Sequence, residues 1–255
     1  MSPSYKTILV RQQGPVLFIT LHRPEAGNSI NVRMIDECSQ ALVSHAQHAA
    51  VVILEGLADV FCSGADFQSV RHTSADTDTL DVAEPLYTLW EQLAQGPFVS
   101  IAHVRGKANA GGVGFAAACD IVIAEETAVF SLSEMLFGLF PACVLPFLVR
   151  RIGYQRAHYL TLSTQGITGR QASEWGLVDV CGADSGLLLR RHIPRLTRIS
   201  KEAVIHYKSY MSKLRNDIPA ARQEAVQANR RMFADPGNLA RISRFVETGQ
   251  FPWEA

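Results

Sequence analysis

Gly106-Lys107-Ala108-Asn109-Ala110-Gly111-Gly112-Val113-Gly114, running on through Phe115 to Cys119-Asp120-Ile121, is the stretch on which the fold turns. The apolar run Val99 to Val104 precedes it and reads as a strand, and Val113 to Cys119 reads as a helix. The glycine-rich loop Gly106 to Gly112 therefore opens a helix. Small residues there let the backbone approach a ligand, and the first turn of a helix points N–H groups and the positive dipole end outward. That suits an anion, or an oxygen that becomes one. Close helix–strand packing explains the same glycines equally well.

A second stretch of this kind lies upstream, Phe61-Cys62-Ser63-Gly64-Ala65-Asp66-Phe67, with a turn that enters a helix after Ala65. Between the chain start and this stretch, Ile8 and Val10 alternate with polar residues, Gly14-Pro15 breaks the chain, and Val16 to Leu21 is apolar. This pattern predicts a hairpin. Asn31 to His48 has helical spacing, Val51 to Leu54 is a short buried strand, and Gly56 to Gly64 is a loop. Arg71 to Pro85 is polar and is expected to be a loop or lid, before the helical pattern of Leu86 to Leu93.

Downstream, Ile121 to Ala124 is a further strand. Thr168-Gly169-Arg170-Gln171 has the form of a capping box for a helix that stops near Gly176, and Leu177 to Val180 is expected to form a strand. Ser200 to Phe233 is mostly helical, interrupted near Pro219. Strands alternating with helices, then a helical tail, give an α/β fold with a helical C-terminal part.

Composition excludes several classes. The 255 residues are 47% hydrophobic, enough for a sizeable core, and 24 basic side chains balance 24 acidic ones. A neutral chain has no global attraction to nucleic acid or anionic membrane. No apolar run spans a bilayer, and Met1 to Lys6 lacks a secretory signal, so the expected location is the cytoplasm. Five cysteines without CxxC spacing suit a reducing compartment. Eight histidines form no HExxH, so no metal is expected; His45 and His48 read as a solvated helix face.

Taken together, the two small-residue stretches resemble the enoyl-CoA hydratase/isomerase, or crotonase, family. The resemblance extends to His22-Arg23-Pro24 with Asn28-Ser29-Ile30-Asn31. It includes Phe130-Ser131-Leu132-Ser133-Glu134 followed by Gly138 and Pro141, with Ser133 where the family has proline. It continues from Ile167-Thr168 through Ala172 to Gly176-Leu177-Val178. It implies a crotonase-like ββα superhelix, with residues 1–195 as core and 196–255 as a C-terminal helical region. Within the family, the stretches Phe61 to Phe67, Lys107 to Gly112 and Phe130 to Pro146 are most similar to the 3-hydroxy-3-methylglutaryl-ACP dehydratases of bacterial polyketide β-branching cassettes.

That resemblance implies an oxyanion hole made by the backbone N–H groups of Ala65 and Gly111. It implies Glu134 as the acid/base. Ordinary hydratases of the family carry an earlier glutamate as well, and that position is Gly114 here. Asp66 is a second catalytic candidate, although an aspartate at a helix start is also a cap. Asn109, Tyr87 and Trp90 are candidates for substrate binding; a turn role for the first and core packing for the two aromatics remain open. Lys107 or Arg105 can pair with a substrate carboxylate or be solvated charges. The cysteines read as small buried hydrophobes.

The implied reaction is dehydration of 3-hydroxy-3-methylglutaryl-ACP to 3-methylglutaconyl-ACP. No free cofactor is needed, since the substrate rides on the phosphopantetheine of an acyl carrier protein, or on CoA. Alternatives are an enoyl-thioester isomerase, a decarboxylase, or a non-catalytic acyl-carrier or RNA-binding module. The resemblance also implies a homotrimer or a dimer of trimers.

Overall fold

In the computed structural model, residues 5–68 and 82–254 are described. Ile8–Gln13 (β1) and Val16–Leu21 (β2) form the expected hairpin, with Ile8 opposite Leu21 and Gln13 opposite Val16. Val32–His45 (α1) starts on Asn31, whose side chain accepts a 2.9 Å bond from the Met34 N–H. It buries Met34, Ile35, Cys38, Ala41 and Leu42, one apolar stripe at helical spacing. His45, read as part of a solvated helix face, bonds through Nδ1 to the Ala41 carbonyl of its own helix.

Val51–Glu55 (β3), Val99–Val104 (β5) and Ile121–Glu125 (β7) extend the hairpin into a six-stranded sheet, closed at its far edge by Val180–Gly182 (β10). The order is β1-β2-β3-β5-β7-β10, parallel from β2 onward. Parallel strands covered on both faces read as continuous apolar runs, which is why Val51-Val52-Ile53-Leu54 shows no alternation. One face carries Leu17, Ile19, Val52, Leu54, Ala102 and Val122 into the main core. The opposite face carries Phe18, Val51, Ile53, Ile101 and Ile123 beneath Ser185–Leu196, the helix after β10.

A second, four-stranded sheet is built from pieces of two to three residues: Val60–Cys62 (β4), Lys107–Asn109 (β6), Val129–Ser131 (β8) and Ile167–Thr168 (β9). The loops expected at Gly56–Gly64 and Gly106–Gly112 thus each contain a strand. Segments this short carry no periodicity, and only their partners from distant sequence make them strands. This small sheet carries the site.

Among the described residues the α-helices are α1, Ala83–Gln95 (α2), Gly111–Ala118 (α3), Leu145–Ser163 (α4), Gly169–Trp175 (α5), Ser185–Leu196 (α6), Lys201–Leu214 (α7), Asp217–Ala234 (α8) and Pro236–Thr248 (α9). Of the expected loop at Arg71–Pro85, residues 71–81 lie outside the described residues, and 83–85 belong to α2. Pro85 is the third residue of that helix, where a missing N–H breaks no helical bond. Pro219 likewise sits in the first turn of α8, so the break in the tail falls at Arg215-Asn216 instead.

Thr168 caps α5 as expected, accepting from the Gln171 N–H at 3.2 Å. Leu177 and Val178 do not start a strand: both N–H groups return to the Ala172 carbonyl and finish α5, so β10 begins at Val180. In the tail, Ile218, Ala225 and Val226 of α8 join the main core. Among the described residues no helix is long and apolar enough to cross a membrane.

Candidate active site

The stretch Ser63-Gly64-Ala65 leaves β4 and crosses the start of α3. Gly64 has φ 101°, and a side-chain carbon there would come within 2.8 Å of the Ala110 Cβ. A side-chain carbon on Gly112 would stand 2.4 Å from the Cys62 carbonyl oxygen. Both glycines are therefore required by the contact of the two stretches. Ile30 bridges to Ala65: the Ile30 N–H donates to the Gly64 carbonyl at 2.7 Å, and the Asp66 N–H donates to the Ile30 carbonyl at 3.0 Å. Those bonds use the groups on either side of Ala65, and its own N–H has no acceptor among the described residues.

At the start of α3, Ala110 is held at φ 51°, ψ −116°, a conformation costing a non-glycine residue about 1–3 kcal/mol. Its N–H donates to the Ser131 carbonyl at 2.9 Å. The next residue, Gly111, is the first of the helix, and its N–H has no acceptor among the described residues. The structure thus brings Ala65 and Gly111 to one cavity of about 800 Å³, with neither amide bonded among the described residues.

Glu134 stands at the start of a short 3-10 helix, Glu134–Phe137, and lines the same cavity. The residue is half-buried, but its Oε2 is closed off and has no partner among the described residues. Burial pushes its carboxyl up to about 7, against smaller opposing pulls from the backbone N–H groups of Glu134 itself and Ser133. Phe137 is buried and Leu136 lines the cavity, whereas Met135 turns outward, 41% exposed.

The other acidic candidate is differently placed. Asp66 lines the cavity, but one oxygen pairs with Arg23 at 2.9 Å and the other accepts from the Gln68 N–H at 3.1 Å. Its carboxylate does the work of a cap and an ion pair. Arg23 also donates to the Ser29 carbonyl at 2.6 Å. Buried Asn28 donates to the Leu21, Val60 and Phe61 carbonyls. The early Arg-Pro and Asn-Ser-Ile-Asn residues therefore hold the Ala65 loop from behind.

Of the substrate-binding candidates, Trp90 lines the cavity and Tyr87 does not. Tyr87 is fully buried, packs on Phe147 and donates to the Ile218 carbonyl at 2.7 Å, which makes it a core link between α2 and α8. Trp90 packs edge-on against Phe115 and Phe147. A side-chain carbon on Gly114 would meet its ring at 2.4 Å, so the indole fills the space a glutamate at 114 would need. Asn109 lines the cavity but has no free amide arm: it donates to the Ser63 carbonyl and to Ser133 Oγ and accepts from Ser131 Oγ.

Lys107 is exposed at the cavity rim, while Arg105 turns away to the Gly56 carbonyl. Burial pushes the Cys62 thiol up to about 12, and Cys143, in the cavity wall, donates to the Ala225 carbonyl; neither is an activated nucleophile. Among the described residues no group of three His, Cys, Asp or Glu side chains could hold a metal ion. Sequence reading missed the distal wall, where Phe67, Phe137, Phe245 and Phe251 meet edge-on or tilted across the end of the cavity. The phenylalanines near the chain end were its one visible signal.

The enoyl-CoA hydratase/isomerase family pattern matches residues 11–255. The chain belongs to that family. It is 54% identical over 253 residues to the bacillaene synthase dehydratase PksH of Bacillus subtilis, covering 98% of both chains. It is 30% identical over 230 residues to the 2,3-dehydroadipyl-CoA hydratase of Escherichia coli, covering 89% of this chain and 88% of that one. The crystal structure of a polyketide biosynthesis enoyl-CoA hydratase (pksH) from Bacillus subtilis superposes with a TM-score of 0.93 at 53% identity, over 98% of this chain and all of the other. An enoyl-CoA hydratase from Mycobacterium avium subsp. paratuberculosis, at 23% identity and TM-score 0.86, shares the fold over 99% of this chain. The crotonase fold expected from the two small-residue stretches is the fold of this protein.

Proposed function

We propose that this protein is a hydro-lyase of polyketide biosynthesis that dehydrates a 3-hydroxyacyl thioester, with 3-hydroxy-3-methylglutaryl-ACP as substrate. The 54% identity to a polyketide-pathway dehydratase over almost the whole chain supports the reaction class. The observation that carries the chemistry is that Glu134 lines a cavity with one carboxylate oxygen lacking a partner among the described residues, beside the Ala65 and Gly111 amides, which have no acceptor among the described residues.

The steps follow from charge. Glu134 takes the proton from the carbon beside the thioester, and the electron pair moves onto the thioester oxygen. Two N–H donors are worth most when that oxygen is an enolate, so they lower the barrier, each by about 3 kcal/mol. The enolate then re-forms the carbonyl, the C3–O bond breaks, and the hydroxide leaves with the proton that Glu134 returns. A carboxyl with a pKa of about 7 suits both halves, because neither protonation state is strongly preferred near neutrality. The phosphopantetheine thioester of an acyl carrier protein is the expected handle, and no free cofactor takes part in these steps. The assembly that goes with this reading is a homotrimer or a dimer of trimers.

Purified protein mixed with 3-hydroxy-3-methylglutaryl-ACP is expected to remove one water from the acyl group, read by intact mass; an unchanged mass defeats the reading. The same acyl group on CoA separates carrier preference from chemistry. An enoyl-thioester isomerase is the second reading, favoured by the lone carboxylate, since moving a double bond needs only one proton shuttle. Double-bond migration in a 3-enoyl thioester without water loss would select it.

A further inference from the structure

We propose that Asn109 is a positioning residue that fixes the Ala65 loop and the Glu134 carboxylate in one frame. The proposal rests on the dehydratase reading above and names the residue that sets its geometry. Three hydrogen bonds carry it. Asn109 Nδ2 donates to the Ser63 carbonyl at 3.1 Å, two residues before the Ala65 amide. The same nitrogen donates to Ser133 Oγ at 3.0 Å, and Ser133 immediately precedes Glu134 in the chain. Asn109 Oδ1 accepts from Ser131 Oγ at 2.8 Å.

The backbone adds a fourth tie. Asn109 ends β6, whose register pairs it with Ser131, and the strained Ala110 that follows turns directly into Gly111. One side chain therefore touches the loop before the first amide, sits two residues before the second, and grips the residue before the acid/base. Both amide hydrogens and the amide oxygen are used, so the orientation of the group is fixed by its partners. Ser133 occupies the position where the family resemblance expects proline, which has no hydroxyl to accept the Asn109 hydrogen. The serine and the asparagine thus form a matched pair. Catalytic groups displaced by about 1 Å lose on the order of 10²-fold in rate, so a clamp of this kind acts on turnover.

The test uses the full chain and the acyl-ACP substrate. Asn109→Ala is expected to lower kcat by about 10–100-fold while KM changes by less than about threefold, as for other residues that orient a catalytic group. The basic form of Glu134 starts the reaction, so the rise of kcat with pH reports its titration. That rise is expected to move to higher pH in the variant, because a loosened Ser133 N–H opposes the effect of burial on the carboxyl less well. Ser133→Ala removes a single arm and is expected to give a smaller loss of the same kind, while Ser133→Thr, which keeps the hydroxyl, retains activity. The double variant is expected to be no worse than Asn109→Ala.

Wild-type kcat and pH profile in a folded Asn109→Ala protein would overturn the proposal. A lowered melting temperature with unchanged kcat, or losses from the two single variants that multiply, would overturn it too. If Asn109→Ala does not fold, the milder Ser133→Ala profile decides. Glu134→Gln keeps the two readings apart: an active Glu134→Gln enzyme defeats the acid/base assignment itself, whereas an inactive one beside an unaffected Asn109→Ala enzyme defeats only the clamp.

Discussion

Glu134 and Glu55 are both half-buried residues, and the fold moves their carboxyls in opposite directions. Burial pushes each one up. At Glu55, donors reverse the effect: Thr20 Oγ1 donates at 3.0 Å, His103 Nδ1 stands at 3.4 Å, and Arg105 adds positive charge, so its pKa falls below 4.5. The row continues through His103 Nε2, 2.9 Å from Ser185 Oγ, which in turn donates to Glu125 at 3.2 Å. Every member of that row beneath α6 has a partner. At Glu134, among the described residues, two backbone N–H groups oppose burial, Oε2 has no partner, and the carboxyl rises to about 7. A buried polar group that is fully bonded supports the fold; one left short is a place for a substrate to complete.

The largest expected effect comes from exchanging the two acids for amides. Glu134→Gln is expected to lower kcat by about 10³-fold, within the usual contribution of a general acid/base, whereas Glu55→Gln leaves kcat within about twofold of wild type. Steady-state rates on the acyl-ACP substrate check both. Comparable losses from the two variants would erase the distinction.

Stability is expected to respond in the reverse sense. The folded-state pKa of Glu134 lies above its ordinary 4.5, so the folded chain holds that proton more tightly than the unfolded chain. Its contribution is therefore present at low pH and is lost as pH rises through about 7. Glu134→Gln removes this penalty and is expected to stabilise the protein at pH 8 by up to about 3 kcal/mol, the free energy of such a shift. The pKa of Glu55 is depressed, so its contribution is present above 4.5 and is lost as pH falls through its lower folded value. Glu55→Gln is expected to flatten that acid limb. Urea melts at pH 4, 6 and 8 test both signs.

Packing gives a third contrast. Gly114→Ala places a methyl group 2.4 Å from the Trp90 ring and is expected to cost about 1–3 kcal/mol. A Trp90→Leu background is expected to relieve much of that cost, which a double-mutant cycle measures. The smallest effect is expected at Tyr87: the phenylalanine variant loses the bond to Ile218, worth about 1 kcal/mol, with kcat unchanged. A kcat loss at Tyr87 without a stability loss would return this side chain to the site.

The fold was legible because its decisive residues act locally. Gly14-Pro15 marks the hairpin, helical spacing from Asn31 marks α1, and the glycine-rich loop before Val113 marks the approach to α3, which the structure starts at Gly111. The site was half legible. Ala65, Gly111, Glu134 and Trp90 meet at the cavity, while Tyr87 is core and Asp66 is spent on Arg23 and Gln68. No local pattern distinguishes Tyr87 from Trp90, three residues apart on one helix; the chain packed against each decides. Nor does sequence show that Asn109 reaches both Ser63 and Ser133, 46 and 24 residues away.

The sequence by itself determined the family, the crossing of two small-residue stretches, and the replacement of one expected glutamate by Gly114. Those are properties of residue type and order. Tertiary structure alone decided that an indole fills the vacated space, that one carboxylate keeps an oxygen without a partner among the described residues while another is satisfied, and that a single asparagine ties the halves of the site together. Burial and hydrogen bonding belong to neighbours in space, and the chain acquires those neighbours only by folding.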